Sequence, residues 1–175
     1  MLINLSELFS CQGKVKTYTQ DLEMEQFQGP GGLYEIAEKE PVVLEITHIK
    51  ERKISVSGEA RLTLLMPCDR CLEPVKVPFV LSFQEELDMN QSDEERVEAL
   101  DEQPYVSGYN LDTDQLVRNE LMLNLPMKVL CREDCKGICS QCGKNLNQGE
   151  CGCKDQPKDP RMAAIQDIFK RFKEV

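Results

Sequence analysis

Eight of the nine cysteines fall in spacings that suit a metal ion. Cys139-Ser-Gln-Cys142-Gly143 is a CxxC followed by glycine, and Cys151-Gly-Cys153 follows eight residues on. Upstream, Cys68-Asp-Arg-Cys71 is a second CxxC, and Cys131 and Cys135 lie between the two. A two-residue gap lets both sulfurs of a tight turn reach one ion. The glycine allows the sharp turn and leaves a backbone N–H free to point at a thiolate. Four thiolates from two such turns make a tetrahedral zinc site at a Zn–S distance of about 2.3 Å. A lone CxxC also fits redox chemistry or chance, whereas CxxCG with a CxC behind it is specific.

Cys139, Cys142, Cys151 and Cys153 therefore read as one structural zinc site. Cys68, Cys71, Cys131 and Cys135 read as a second, the alternative being one zinc with spare thiols. Cys11 stands apart and reads as a free thiol. With every position taken by protein, neither site leaves zinc open to water, so both read as structural. Residues 131–158 hold few large apolar side chains, essentially Ile138 and Leu146. Such a segment needs the folding energy that zinc supplies, about 10–16 kcal/mol in finger peptides.

The chain has 175 residues and a net charge of −10. It has no continuous apolar stretch of membrane-spanning length and nothing resembling an export signal at its start, which predicts a reducing, cytoplasmic setting where paired cysteines bind metal. The charge argues against a generally basic nucleic-acid binder. It is uneven: residues 1–123 hold eleven Lys/Arg against twenty-four Asp/Glu, residues 124–175 ten against seven. Each four-thiolate zinc site adds a charge of −2, so any basic surface must be local. Arg70, Lys128, Arg132, Lys136, Lys144, Lys154, Lys158 and Arg161 surround the cysteines and form the candidate RNA or partner contact. At any single position, solvation or neutralisation of thiolates is an equally good reading.

Nothing points to catalysis. The single histidine, His48, sits in register on a strand and reads as a satisfied, half-buried side chain. No nucleophile elbow, phosphate loop or zinc-protease motif is present, and no spaced acidic pair lies in an apolar setting.

The elements that must position the cysteines follow from periodicity. Residues 1–12 suit a short helix or strand, and 14–28 a strand or two ending at the Gly29-Pro30-Gly31-Gly32 turn. Tyr34 to Lys39 suits a short helix. Val42, Leu44, Ile46 and His48 occupy every second position. So do Ile54, Val56, Gly58, Ala60, Leu62, Leu64 and Met66, then Val75, Val77, Phe79, Leu81 and Phe83. These are half-buried antiparallel strands, and they place Cys68 and Cys71 at a hairpin tip. The acidic stretch 85–108 reads as a solvated loop. Asp112 opens a capping box for a helix over 112–125. Asp159-Pro160 opens a C-terminal helix with Ile165, Ile168, Phe169 and Phe172 on one face.

Several of these stretches together resemble a known family. They are Pro67-Cys-Asp-Arg-Cys-Leu72, Glu120 to Pro126, Leu130 to Asn147, Cys151-Gly-Cys153 and Asp159-Pro-Arg161. Over roughly residues 40–170 the pattern is similar to the YceD family of bacterial large ribosomal RNA subunit accumulation proteins. The resemblance implies a part in accumulation of 23S rRNA and ribosome biogenesis, and supplies no catalytic activity.

The expected architecture is α+β, in two parts. Residues 1–125 form an antiparallel sheet, curled toward a barrel and backed by the 112–125 helix. Residues 126–175 form a zinc-ribbon-like segment and a C-terminal helix. The expected cofactor is one or two structural zinc ions. The expected partner is large-subunit rRNA or a pre-ribosomal protein, with no membrane and no small-molecule substrate. The alternatives are a zinc-ribbon adaptor that binds ribosomal or processing proteins, and a thiol redox sensor.

Overall fold

A computed structural model describes residues 2–10, 12–90 and 103–153. Cys11, Lys154, Lys158, Arg161 and the expected C-terminal helix lie outside the described residues.

Among the described residues, alternating hydrophobicity builds nine strands: β1 (Leu2–Asn4), β2 (Val15–Gln20), β3 (Gln26–Gly29), β4 (Gly32–Lys39), β5 (Val42–Lys50), β6 (Lys53–Pro67), β7 (Pro74–Asp88), β8 (Val106–Ser107) and β9 (Asn110–Asp112). Among the same residues one α-helix, α1 (Thr113–Leu123), follows β9. The long β6 organises the sheet. Its whole length pairs with β7, from Lys53 opposite Asp88 to Pro67 opposite Pro74. Its other edge is shared, by β5 along the first half and β4 along the second. β2 flanks β5, and β3 flanks β4. β1, β9 and β8 form a separate small sheet.

The expected curl toward a barrel is not completed. β2, β3 and β7 each pair with a single neighbour, so the sheet stays open. Two strands dividing one edge of β6 leave no single edge for β7 to close against. One face is instead covered. Ile54, Val56, Ala60, Leu62 and Leu64 of β6, with Leu44 and Ile46 of β5 and Leu81 of β7, bury against Leu5, Leu8, Leu111, Leu116, Val117 and Leu121. Asp112 caps α1 as its sequence predicts, its carboxylate accepting from the N–H groups of Asp114 and Gln115 at 3.1 and 3.2 Å. The helix stops at Leu123, before Pro126 is reached, with Asn124 as C-cap.

Two expectations are corrected. Residues 34–39 are strand, not helix. A bulge between Ile36 and Glu38 breaks their alternation and hides the period of two. The acidic stretch is not loop throughout, since Glu85 to Asp88 end β7 and Gln103, Tyr105 and Val106 are buried.

Gly58 is where β5, β6 and β7 approach most closely. A Cβ there would stand 2.7 Å from Leu44 Cδ2, 2.8 Å from Val43 O and 2.9 Å from Phe83 Cζ. One of the three neighbours is backbone and cannot swing away. Gly58→Ala is therefore expected to lower stability by about 1–3 kcal/mol, the usual cost of overpacking. Urea unfolding checks this, and a midpoint equal to wild type would contradict the packing at this crossing.

Candidate metal centres

The β6–β7 hairpin delivers Cys68 and Cys71. Cys68 N donates to Glu73 O at 2.8 Å, closing the hairpin, and Leu72 N donates to Cys68 O at 2.9 Å, forming the knuckle. Asp69 then clasps the incoming chain. Its N–H donates to Val129 O at 2.9 Å and its carboxylate accepts from Val129 N at 2.6 Å. That clasp brings Cys131 and Cys135 to the tip. The sulfurs of Cys68 and Cys135 lie 3.8 Å apart, those of Cys71 and Cys131 3.6 Å. Cys68, Cys71 and Cys135 are buried, with Val75 and Leu130 packed against them.

The second set repeats the knuckle. Gly143 N donates to Cys139 O at 2.9 Å, as Leu72 N does to Cys68 O. The residue after each CxxC has positive φ, 72° at Gly143 and 63° at Leu72. Glycine adopts this without strain; leucine does not. Cys142 and Cys153 are exposed and Cys139 and Cys151 half-exposed, so this set lies on the surface.

In each set the four sulfurs lie within 4.8 Å of one another, a grouping that could hold a metal ion. A disulfide would draw two sulfurs to about 2.05 Å. A regular tetrahedron with metal–sulfur bonds of about 2.3 Å has edges of about 3.8 Å. The observed 3.6 and 3.8 Å separations match that edge. All-sulfur tetrahedral sites suit zinc or iron and exclude hard cations such as magnesium.

Backbone donors prepare the thiolates. Burial pushes the Cys68 thiol up, but the N–H groups of Arg70, Cys131 and Cys71 outweigh it and bring it down to about 6. The N–H groups of Cys142 and Gln141 bring Cys139 down to about 6. Burial and the neighbouring sulfurs push Cys131 up to about 12. Cys142 leads the effects that push Cys153 up to about 12.

Sequence reasoning missed the supports. Asn147 donates from Nδ2 to Cys135 Sγ at 3.3 Å, while its Oδ1 accepts from Lys136 N and from Arg132, both at 2.8 Å. Glu73 accepts from Asn145 at 2.8 Å and Gln148 at 2.9 Å, tying the second knuckle to the hairpin. The Asn145-Leu-Asn147 triplet, with two short amide side chains in a cysteine-rich turn, was the available signal. The basic residues divide. Arg70 donates to the carbonyl of Cys135 at 2.8 Å, Arg132 holds Asn147, and Lys144 donates to Glu150 O at 2.8 Å. Lys128 and Lys136 are exposed, with no ammonium partner among the described residues. His48 is buried, its Nε2 2.9 Å from Glu51 O, in keeping with a satisfied strand histidine. Contrary to the reading of the carboxylates, buried Glu120 of α1 comes near Glu85 of β7; burial first, then Glu85, raises its pKa. Helix and strand carry the two, so linear spacing could not show them.

Residues 56–169 match the model of the family described as "Large ribosomal RNA subunit accumulation protein YceD". The uncharacterized protein YlbN of Bacillus subtilis is 31% identical over 128 residues, 70% of each chain. An uncharacterized protein of Mycobacterium tuberculosis is 30% identical over 116 residues, 66% of this chain and 56% of its own. A chloroplastic protein of Arabidopsis thaliana, named large ribosomal RNA subunit accumulation protein YCED homolog 1, is 25% identical over 161 residues, 77% of this chain and 50% of its own. The chain thus spans about half the length of the mycobacterial and plant relatives. No solved structure matches it.

Protein purified without added metal is expected to carry two equivalents of tightly bound metal by elemental analysis. Less than half an equivalent, with all thiols freely titratable, would contradict both centres. Because the first set joins the hairpin to residues sixty positions away, Cys71→Ser should loosen residues 126–137 as well as the tip. Hydrogen-exchange protection lost only within 66–74 would break that link.

Proposed function

Because the chain belongs to the YceD family of large ribosomal RNA subunit accumulation proteins, we propose that it serves, without catalysis of its own, in the accumulation and maturation of large-subunit (23S) rRNA. The observation that carries this reading is the platform at the hairpin tip. There the first cysteine set, the Asp69 clasp and Asn147 hold residues 129–147 in one arrangement and leave Lys128 and Lys136 facing outward. A stiff surface with free ammonium groups suits phosphate contact, because little backbone order must be gained on binding.

In this reading the metal is zinc in both sets. It shapes the platform and takes no part in chemistry, since each set already offers four protein donors. The setting is a reducing cytoplasm, where thiols remain available to metal.

A protein-binding adaptor is the second reading, favoured by apolar exposure on the same platform. Leu72 is 64% exposed, Met127 102% and Ile138 39%.

Crosslinking in cells, followed by sequencing of attached RNA and identification of attached proteins, separates the two. The informative variant is the double reversal Lys128→Glu with Lys136→Glu, because Arg70, Arg132 and Lys144 also hold the platform together. RNA crosslinks from large-subunit rRNA are expected to fall at least tenfold in the double variant with metal content unchanged. Protein crosslinks alone, in wild type, would establish the adaptor instead.

A further inference from the structure

A second basic surface lies at the opposite end of the sheet. β6 runs from Lys53 to Pro67, so at about 3.3 Å per residue its start is roughly 45 Å from the cysteine tip. At that start the β5–β6 turn, the approach to β2 and the β8–β9 turn meet. Gly13 N donates to His48 O at 2.8 Å, and His48 N to Lys14 O at 3.0 Å. Phe9 stands edge-on to His48 and to Tyr109, with ring centroids at 5.3 and 5.7 Å. The Arg52 guanidinium lies over the Tyr109 ring, 5.6 Å from its centroid.

The charge here inverts that of its surroundings. Segments 12–18 and 48–53 hold five cations, Lys14, Lys16, Lys50, Arg52 and Lys53, against the single acid Glu51. The rest of residues 1–123 holds six cations against twenty-three acids. Carboxylates from outside the two segments pair with part of the set: Glu7 with Lys16 at 2.9 Å and Asp88 with Lys53 at 3.1 Å. Lys50 and Arg52 pair with no carboxylate among the described residues.

Three local choices at this end cost stability. Lys50 and Lys53 are direct cross-strand partners, placing like charges opposite each other. Glu51 holds a positive φ of 51°, unfavourable for a residue with a side chain. Tyr109 is 39% exposed at a turn, its ring covered by a guanidinium instead of by core. Broken local rules that coincide in space mark places selected for something other than folding.

We propose that this end is a binding surface for single-stranded RNA, with Lys50 and Arg52 on phosphates and the Tyr109 ring as the stacking platform for a base; the Lys14 ammonium is held by Glu7 O at 2.9 Å and Ser10 Oγ at 3.3 Å and shapes the surface instead. The proposal takes its ligand class from the rRNA reading but uses none of the residues that carry it. RNA fits better than an acidic peptide because the surface offers a part-exposed ring with a planar cation lying over it. A nucleobase can stack on both, and a carboxylate side chain can use neither face. An RNA strand engaged at both ends of β6 would be held across the length of the sheet.

The test is fluorescence anisotropy of the full chain with a labelled, unstructured sixteen-nucleotide RNA at low salt. Lys50→Gln with Arg52→Gln is expected to weaken binding about tenfold. It should also flatten the slope of log affinity against log salt by about 1.4, at about 0.7 per lost phosphate contact. Tyr109→Leu is expected to weaken binding about tenfold, the stacking of one base, and Tyr109→Phe to restore it. The Lys128→Glu, Lys136→Glu protein runs alongside. Binding lost in that protein but unchanged in the Lys50, Arg52 and Tyr109 variants overturns this surface and leaves the rRNA reading standing. No binding by wild type at low salt overturns both. Displacement of the RNA by polyglutamate at equal charge, with Tyr109→Leu indifferent, makes the surface a site for acidic protein and overturns the assignment to RNA.

Discussion

The fold depends on one long-range junction, the meeting of Cys68 and Cys71 with Cys131 and Cys135. The hairpin tip extends beyond the core and has little of its own to bury except Cys68, Cys71 and Val75. The segment after α1 brings Val129, Leu130 and Cys135 to the junction and few apolar side chains beyond them. Neither has the burial to hold itself in place. Sulfur ligation of one ion would supply what packing lacks, and the Asp69–Val129 clasp and the Asn147 amide set the angle at which the two approach.

The two cysteine sets share a knuckle but not an environment. The first is enclosed and continuous with the sheet, and the second is exposed and linked to it through Glu73. Removal of the first would loosen residues 126–137, leaving the Asp69 and Glu73 contacts to hold the segment, whereas removal of the second would loosen only its own turns. Leu72 and Gly143 show the same asymmetry in the backbone. The enclosed knuckle tolerates a leucine at φ 63°, and the open one has the residue that costs nothing there.

Much of this was legible in sequence because the period of two is strong where one sheet face is buried and the other wet. β5, β6 and β7 could be placed from Val42, Ile54 and Val75 onward, and spacing suggested the Cys139 set while leaving the grouping of the other four cysteines open. β4 was misread as helix because the bulge at Ala37 interrupts its alternation within a six-residue window. Barrel closure could not be judged, because which strands share an edge of β6 is a matter of register, and short edge strands fix it weakly. Asp69 shows no signal as a support, since its partner Val129 is defined only once the tip has met the incoming chain. The cluster of Arg52, Tyr109 and Phe9 draws on three distant segments, and nothing local in any of them announces it.

The sixty-residue separation between Cys71 and Cys131 also has a bearing on how the protein is made. At about 5–20 residues per second of synthesis, the hairpin thiols wait for their partners for roughly 3–12 seconds. During that interval they present half a site, able to bind a cation loosely or to be oxidised. The nascent chain therefore passes through a state whose fate depends on the metal supply and redox poise of the cell at that moment, before the finished protein has any partner to meet.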